Sequence, residues 1–127
     1  MTKILVVDDD EESRELLSEV LTTNGYAVGA VENAEAARVA LNQDGSYRIV
    51  IADLRMPNGS GLELLEELRQ RNSKHEIILM SSFISSAERK LALELGVDAL
   101  IEKPFRLSEL LDLVAGFAKE DSIGISS

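Results

Sequence analysis

Five short apolar runs alternate with five amphipathic stretches along this chain, and few architectures accommodate that alternation. Lys3 to Val7 reads as a strand. Glu11 to Thr23 reads as a helix with Leu16, Leu17, Val20 and Leu21 on one face, stopped by Asn24-Gly25. Tyr26 to Val31 is the second strand. Asn33 is the expected N-cap of a helix that turns Ala36, Ala37, Ala40 and Leu41 inward, and Asp44-Gly45-Ser46 breaks it. Arg48 to Ala52 is the third strand. The loop Met56-Pro57-Asn58-Gly59 precedes Ser60 and Glu63, which have capping-box spacing and open a helix burying Leu62, Leu64, Leu65 and Leu68. Glu76 to Met80 is the fourth strand. Ser85 and Glu88 repeat the capping signature for a helix ending at Gly96. Asp98 to Ile101 is a short fifth strand. Leu107, Leu110, Leu111, Val114 and Phe117 stripe the last helix. Strands alternating with helices predict an α/β fold, a parallel sheet covered on both faces. Right-handed crossovers favour a flavodoxin-like, doubly wound sheet of order 2-1-3-4-5, with its switch point between strands 1 and 3.

The 127 residues suffice for one domain with a core, and a hydrophobic fraction of 45% excludes disorder. The division expected is a domain over residues 1–119 and a tail or linker stub over 120–127, where periodicity ends. There are no cysteines, which rules out disulfides and thiolate metal sites and is compatible with a reducing cytoplasm. No apolar run approaches a membrane span and no signal-peptide pattern opens the chain, so a cytoplasmic protein without membrane attachment is expected. A net charge of −10 repels nucleic acid, and 4% aromatics offer no stacking platform, so direct nucleic-acid binding is not expected. His75, the one histidine, sits among polar residues before the fourth strand and reads as exposed.

Chemistry gathers where strands end. Asp8 and Asp9 close the first run and Asp53 closes the third, so neighbouring parallel strands would bring three carboxylates to one sheet edge. Ionised carboxylates so close disfavour one another unless a cation joins them. An oxygen-only ligand set suits Mg2+, with Mn2+ as the alternative. Lys103, in Lys103-Pro104-Phe105, follows the fifth strand, and Ser81-Ser82 close the fourth. Acids, one ammonium, a hydroxyl and loop N–H groups suit a phosphoryl group, whose transfer rests on positioning and charge neutralisation. Asp53 is then the candidate nucleophile. Asp10 reads instead as an acid at a helix N-terminus.

These pieces resemble the receiver domain of two-component response regulators: Val6-Val7-Asp8-Asp9, Ile51-Ala52-Asp53-Leu54-Arg55-Met56-Pro57 with Gly61, Met80-Ser81-Ser82 and Lys103-Pro104-Phe105, in order over nearly the whole chain. The resemblance implies that Asp53 accepts a phosphoryl group from the phosphohistidine of a sensor histidine kinase or histidine phosphotransfer protein. It implies that Asp9, Asp53 and the Arg55 backbone carbonyl bind Mg2+ directly, with Asp8 acting largely through water. Ser81 and Lys103 would each engage a phosphoryl oxygen, and the Lys103-Pro104 bond would be cis. The surface of helix 4, strand 5 and helix 5 would then switch an effector domain or protein, or a phosphorylation-dependent dimer. Such a domain is not a classical enzyme, although it would catalyse its own phosphorylation and slow dephosphorylation.

Two departures stand out. Leu100 occupies the strand-5 place where family members often carry Tyr or Phe, so an aromatic-rotation readout is in question. Arg55 and Phe83 flank the phosphorylation pocket as a long cation and a ring that would shield an acyl phosphate from water. Three rival readings stay open. Asp8-Asp9-Asp10 fits the opening of haloacid-dehalogenase-like phosphatases, although Glu12 stands where Thr or Val is expected; phosphate would then attach to Asp8. A receiver-fold interaction module without phosphorylation should have lost an acid or Lys103. A flavodoxin-like cofactor protein should carry Ser, Thr and Gly after strand 1, where this chain has acids. A free-standing receiver, the N-terminal part of a transcription factor and a receiver from a hybrid kinase would share these features.

Overall fold

The structure, a computed structural model, describes residues 1–56 and 59–126, with side chains to residue 119. Five parallel strands form one sheet: β1 (Lys3–Val7), β2 (Ala27–Val31), β3 (Tyr47–Asp53), β4 (Glu76–Ser81) and β5 (Ala99–Glu102). Their order is β2-β1-β3-β4-β5, the doubly wound order expected. Val7 of β1 pairs with Ala52 of β3, so the residues that follow, Asp8 and Asp53, leave the sheet side by side.

Buried parallel strands need apolar side chains on both faces, because helices cover both. Ile4 to Val7 and Ile49 to Ala52 are fully buried. Alternation along each strand divides the core into two layers. Leu5, Val7, Val50, Ala52, Ile77 and Leu79 face α2 (Ala34–Gln43), α3 (Gly61–Gln70) and α4 (Ser86–Glu94). Ile4, Val6, Ile49, Ile51, Ile78 and Met80 face α1 (Glu11–Thr23) and α5 (Leu107–Ser126).

The expected caps are present. Asn33 accepts a hydrogen bond from Ala36 N, Ser60 from Glu63 N, and Ser85 with Glu88 forms a reciprocal box. Asp10 is the N-cap of α1, accepting from Ser13 N, as befits an acid at that end. Gly25, at φ +93°, turns the chain out of α1.

Five details differ from the sequence reading. Leu16 is half exposed while Leu17 and Leu21 are buried, because the sheet contacts only the (i, i+4) ridge of α1. Ala34, at the first turn of α2, is fully buried beside Ala37. His75 is half-buried, with its ring Nδ1 2.5 Å from Ser73 Oγ. Helix α5 continues through Ser126, over the stretch expected to be an aperiodic tail, since helix propagation adds a hydrogen bond per residue without needing an apolar face. Ser127 lies outside the described residues. Arg55–Met56 and Gly59–Ser60 pair as a small antiparallel ladder where a loop was expected, and the intervening Pro57 and Asn58 are likewise outside the described residues.

Candidate functional site

The carboxyl edge of the sheet brings Asp8, Asp9 and Asp53 together, with a carboxylate oxygen from each within 4.8 Å of the others. Strand ends hold them there. Asp8 N donates to Val31 O at 3.1 Å, which carries the β1–β2 ladder one residue further. Leu54 N donates to Met80 O at 2.7 Å and so fixes the exit from Asp53. Gly61 lies against that exit: a Cβ there would stand 2.6 Å from the Asp53 carbonyl oxygen and 2.8 Å from Leu79 Cδ2. Only glycine lets α3 begin so close to β3.

The three acids have different surroundings. Asp8 is fully buried, Asp53 half-buried and Asp9 exposed. Asp8 Oδ1 accepts from Asp10 N at 2.9 Å, and Arg14, a partner that no local spacing announced, donates from Nη1 to the Asp8 carbonyl at 2.8 Å. Asp8 Oδ2 is buried and accepts no hydrogen bond among the described residues. Burial pushes the Asp8 carboxyl above its ordinary range, and the charges of Asp53 and Asp9 add to the rise; the Asp10 N–H and Lys103 oppose it. A buried carboxylate oxygen that accepts no hydrogen bond and lies beside two further carboxylates is a place for a cation, and an all-oxygen donor set fits a hard one. The described residues therefore fit Mg2+.

Lys103 reaches the same edge from the end of β5. Its Nζ lies 3.2 Å from Asp53 Oδ2 and 4.0 Å from Asp8 Oδ2. The Lys103-Pro104 bond is cis, and Lys103 N donates to Ser81 O at 2.8 Å. Ser81, at the end of β4, is buried. Its hydroxyl donates to the Phe83 carbonyl at 2.8 Å instead of facing the acids.

The Arg55 side chain, expected to flank the pocket, has partners that spacing did not announce. Its Nη1 donates to Ser81 Oγ at 2.6 Å and to the Phe83 carbonyl, and its Nη2 to Glu88 Oε1. The guanidinium lies 5.9 Å from the centre of the exposed Phe83 ring, within cation–π range. Glu88, expected only as a cap, is therefore also an ion-pair partner. The Ser85 N–H foremost, and then the Arg55 cation, hold its carboxyl below the usual range. Leu100 lines an open cavity of about 610 Å³ with Glu102, Glu109, Asp112 and Phe117, between β5 and α5.

A doubly wound α/β sheet that gathers acids and a lysine at its carboxyl edge belongs to the class of α/β domains whose ligands sit at strand ends. Within that class the chain belongs to the response regulator receiver domain family, whose model matches residues 4–115. It is similar to the transcriptional regulatory protein CpxR homolog of Haemophilus influenzae, 39% identical over 87% of this chain and 48% of that protein. It is also similar to the response regulator MprA of Mycolicibacterium vanbaalenii, 40% identical over 86% of this chain and 47% of that one. The chain thus spans about half the length of these curated relatives. A response regulator receiver protein from Pseudomonas putida superposes with a TM-score of 0.86 at 34% identity, over 91% of this chain and 96% of its own. The domain is a signalling module, not a classical enzyme. Among its described residues no helix is long and apolar enough to cross a membrane.

Proposed function

We propose that the chain is the phosphoacceptor domain of a two-component system, with residues 1–119 as the receiver unit, and that Asp53 takes a phosphoryl group from the phosphohistidine of a sensor kinase or phosphotransfer protein. One observation carries the reading: three carboxylates within 4.8 Å of one another, one of them buried with an unpartnered oxygen, and a lysine 3.2 Å from the half-buried one. Asp53 is the acid that reacts, a reading supported by its Oδ2 lying 3.2 Å from the Lys103 ammonium, nearer than Asp8 Oδ2 at 4.0 Å. An Asp53 oxygen forms a bond to phosphorus as the phosphorus–imidazole nitrogen bond breaks. Lys103 then exchanges the Asp53 carboxylate for a phosphoryl oxygen, and Ser81 donates to another. Asp8, Asp9, Asp53 and the Arg55 carbonyl would hold Mg2+, which when bound offsets charge on the transferring group. The domain assists its own phosphorylation in this way without turning over a separate substrate. Arg55 and Phe83 cover the pocket on one side and slow attack by water on the acyl phosphate.

The added charge of about −1.5 to −2 draws Ser81 and the loop after it toward Asp53, and the surface of α4, β5 and α5 changes for an effector domain, a partner protein or a second copy. The setting is cytoplasmic, and the domain does not itself contact nucleic acid. Acetyl phosphate with Mg2+ tests the assignment. It should label the chain at Asp53, and Asp53→Asn should abolish labelling while leaving the circular-dichroism spectrum unchanged. Label at Asp8 would instead mark a phosphatase-like site, and uptake by the Asn variant would refute the assignment.

A further inference from the structure

Resting on that reading, we propose that Arg55 and Glu88 are positioning residues that keep the Ser81 hydroxyl turned away from the phosphoryl site until a phosphoryl group on Asp53 breaks their ion pair. A serine hydroxyl has one proton to donate and two lone pairs to fill. All three are engaged at Ser81. Oγ donates to the Phe83 carbonyl at 2.8 Å, and accepts from Phe83 N at 3.3 Å and from Arg55 Nη1 at 2.6 Å. None of these bonds points to Asp53. Donation to a phosphoryl oxygen requires the proton that Phe83 now holds, so the Ser81–Phe83 contact must open first.

Arg55 reinforces the closed arrangement from the other side. The same Nη1 that donates to Ser81 also donates to the Phe83 carbonyl, binding both ends of the turn. Its Nη2 donates to Glu88 Oε1, an oxygen already fixed by the Ser85 N–H at 3.0 Å as half of the capping box of α4. The guanidinium therefore ties Ser81 to the first turn of α4. Charge-assisted hydrogen bonds are the strong kind, but this pair is breakable: the Arg55 side chain is 49% exposed and that of Glu88 25%. A phosphoryl group on Asp53, two residues before Arg55, brings up to twice the charge that Glu88 offers. The guanidinium changes partner, Phe83 loses its second donor, and Ser81 is free to turn.

Beryllofluoride with Mg2+ is the probe, standing for the phosphoryl group. Glu88→Gln keeps an oxygen for the Ser85 N–H, so the cap survives, and removes the charge that holds Arg55. This variant should bind beryllofluoride about five- to tenfold more tightly than wild type at low salt. The difference should shrink as ionic strength rises. The Phe83 amide resonance of the free Gln variant should move toward its position in beryllofluoride-bound wild type. Ser85→Ala weakens the cap but leaves the Glu88 charge, and it should bind like wild type. Equal affinity in wild type and Glu88→Gln, with the Phe83 amide unmoved, overturns the latch and leaves the phosphoacceptor reading intact. Tightening of equal size in Ser85→Ala also overturns it, since the helix start alone would then be responsible. Wild type that ignores beryllofluoride in Mg2+ overturns both.

Discussion

A carboxylate buried behind two others, with one oxygen unpartnered, destabilises the unliganded fold at neutral pH. Asp8 is that group. Its folded-state pKa is raised, chiefly by burial, so the associated stability is present below the ordinary aspartate value and lost as pH rises through the folded value. Asp8→Asn should therefore stabilise the metal-free chain by roughly 1–3 kcal/mol at pH 7, with a smaller gain in acid, measured by urea unfolding. Mg2+ should reverse the ranking. A ligand that binds only the folded state adds about 2.7 kcal/mol at a hundred times its Kd, and wild type should show such a rise where Asp8→Asn does not. A variant no more stable than wild type without metal would show that Lys103, 4.0 Å away, already compensates the buried charge.

Among the elements, the junction of β3 with α3 is the least forgiving. A Cβ on Gly61 would meet the Asp53 backbone at 2.6 Å, and backbone cannot step aside as a flexible side chain can. Gly61→Ala should cost about 1–3 kcal/mol and slow acetyl-phosphate labelling of Asp53, read by thermal melts and intact mass; wild-type behaviour in both would show that α3 shifts freely. The glycine appeared in the sequence only as part of a motif, and its reason is visible only when α3 is seen against β3. What could be read beforehand has a common cause. Strands buried on both faces are continuous apolar runs ending in acids or serines, and helix starts announce themselves through Asn33, Ser60 and Ser85. What could not be read depends on distance along the chain. Arg55 meets Ser81 and Glu88 across separations of 26 and 33 residues, through a long side chain whose direction no spacing encodes. Leu16 and Leu17 are equally apolar, and only packing against the sheet decides which is buried.

On the scale of the whole molecule, the two ends of the sheet carry different charged groups. The acids occupy the carboxyl edge. At the opposite end, before β4, burial first and then the cations of Arg69, Arg48 and Arg71 lower the pKa of His75. A depressed folded-state pKa means stability that is present above the ordinary histidine value of about 6.5 and lost as pH falls through the folded value. Between pH 7.5 and 5 wild type should lose stability faster than His75→Gln in parallel urea titrations; parallel curves would show that the ring protonates without consequence. The division of the core into two layers has a further effect. Ile49, Val50, Ile51 and Ala52 are apolar whichever way they face, so hydrophobicity alone does not police the register of β3. Slide that strand by one position and both layers still receive greasy side chains, somewhat misfitted, while Asp53 swings off the acidic edge. The core could survive an error that silences the signal, and for this strand the informative letter is the acid at its end.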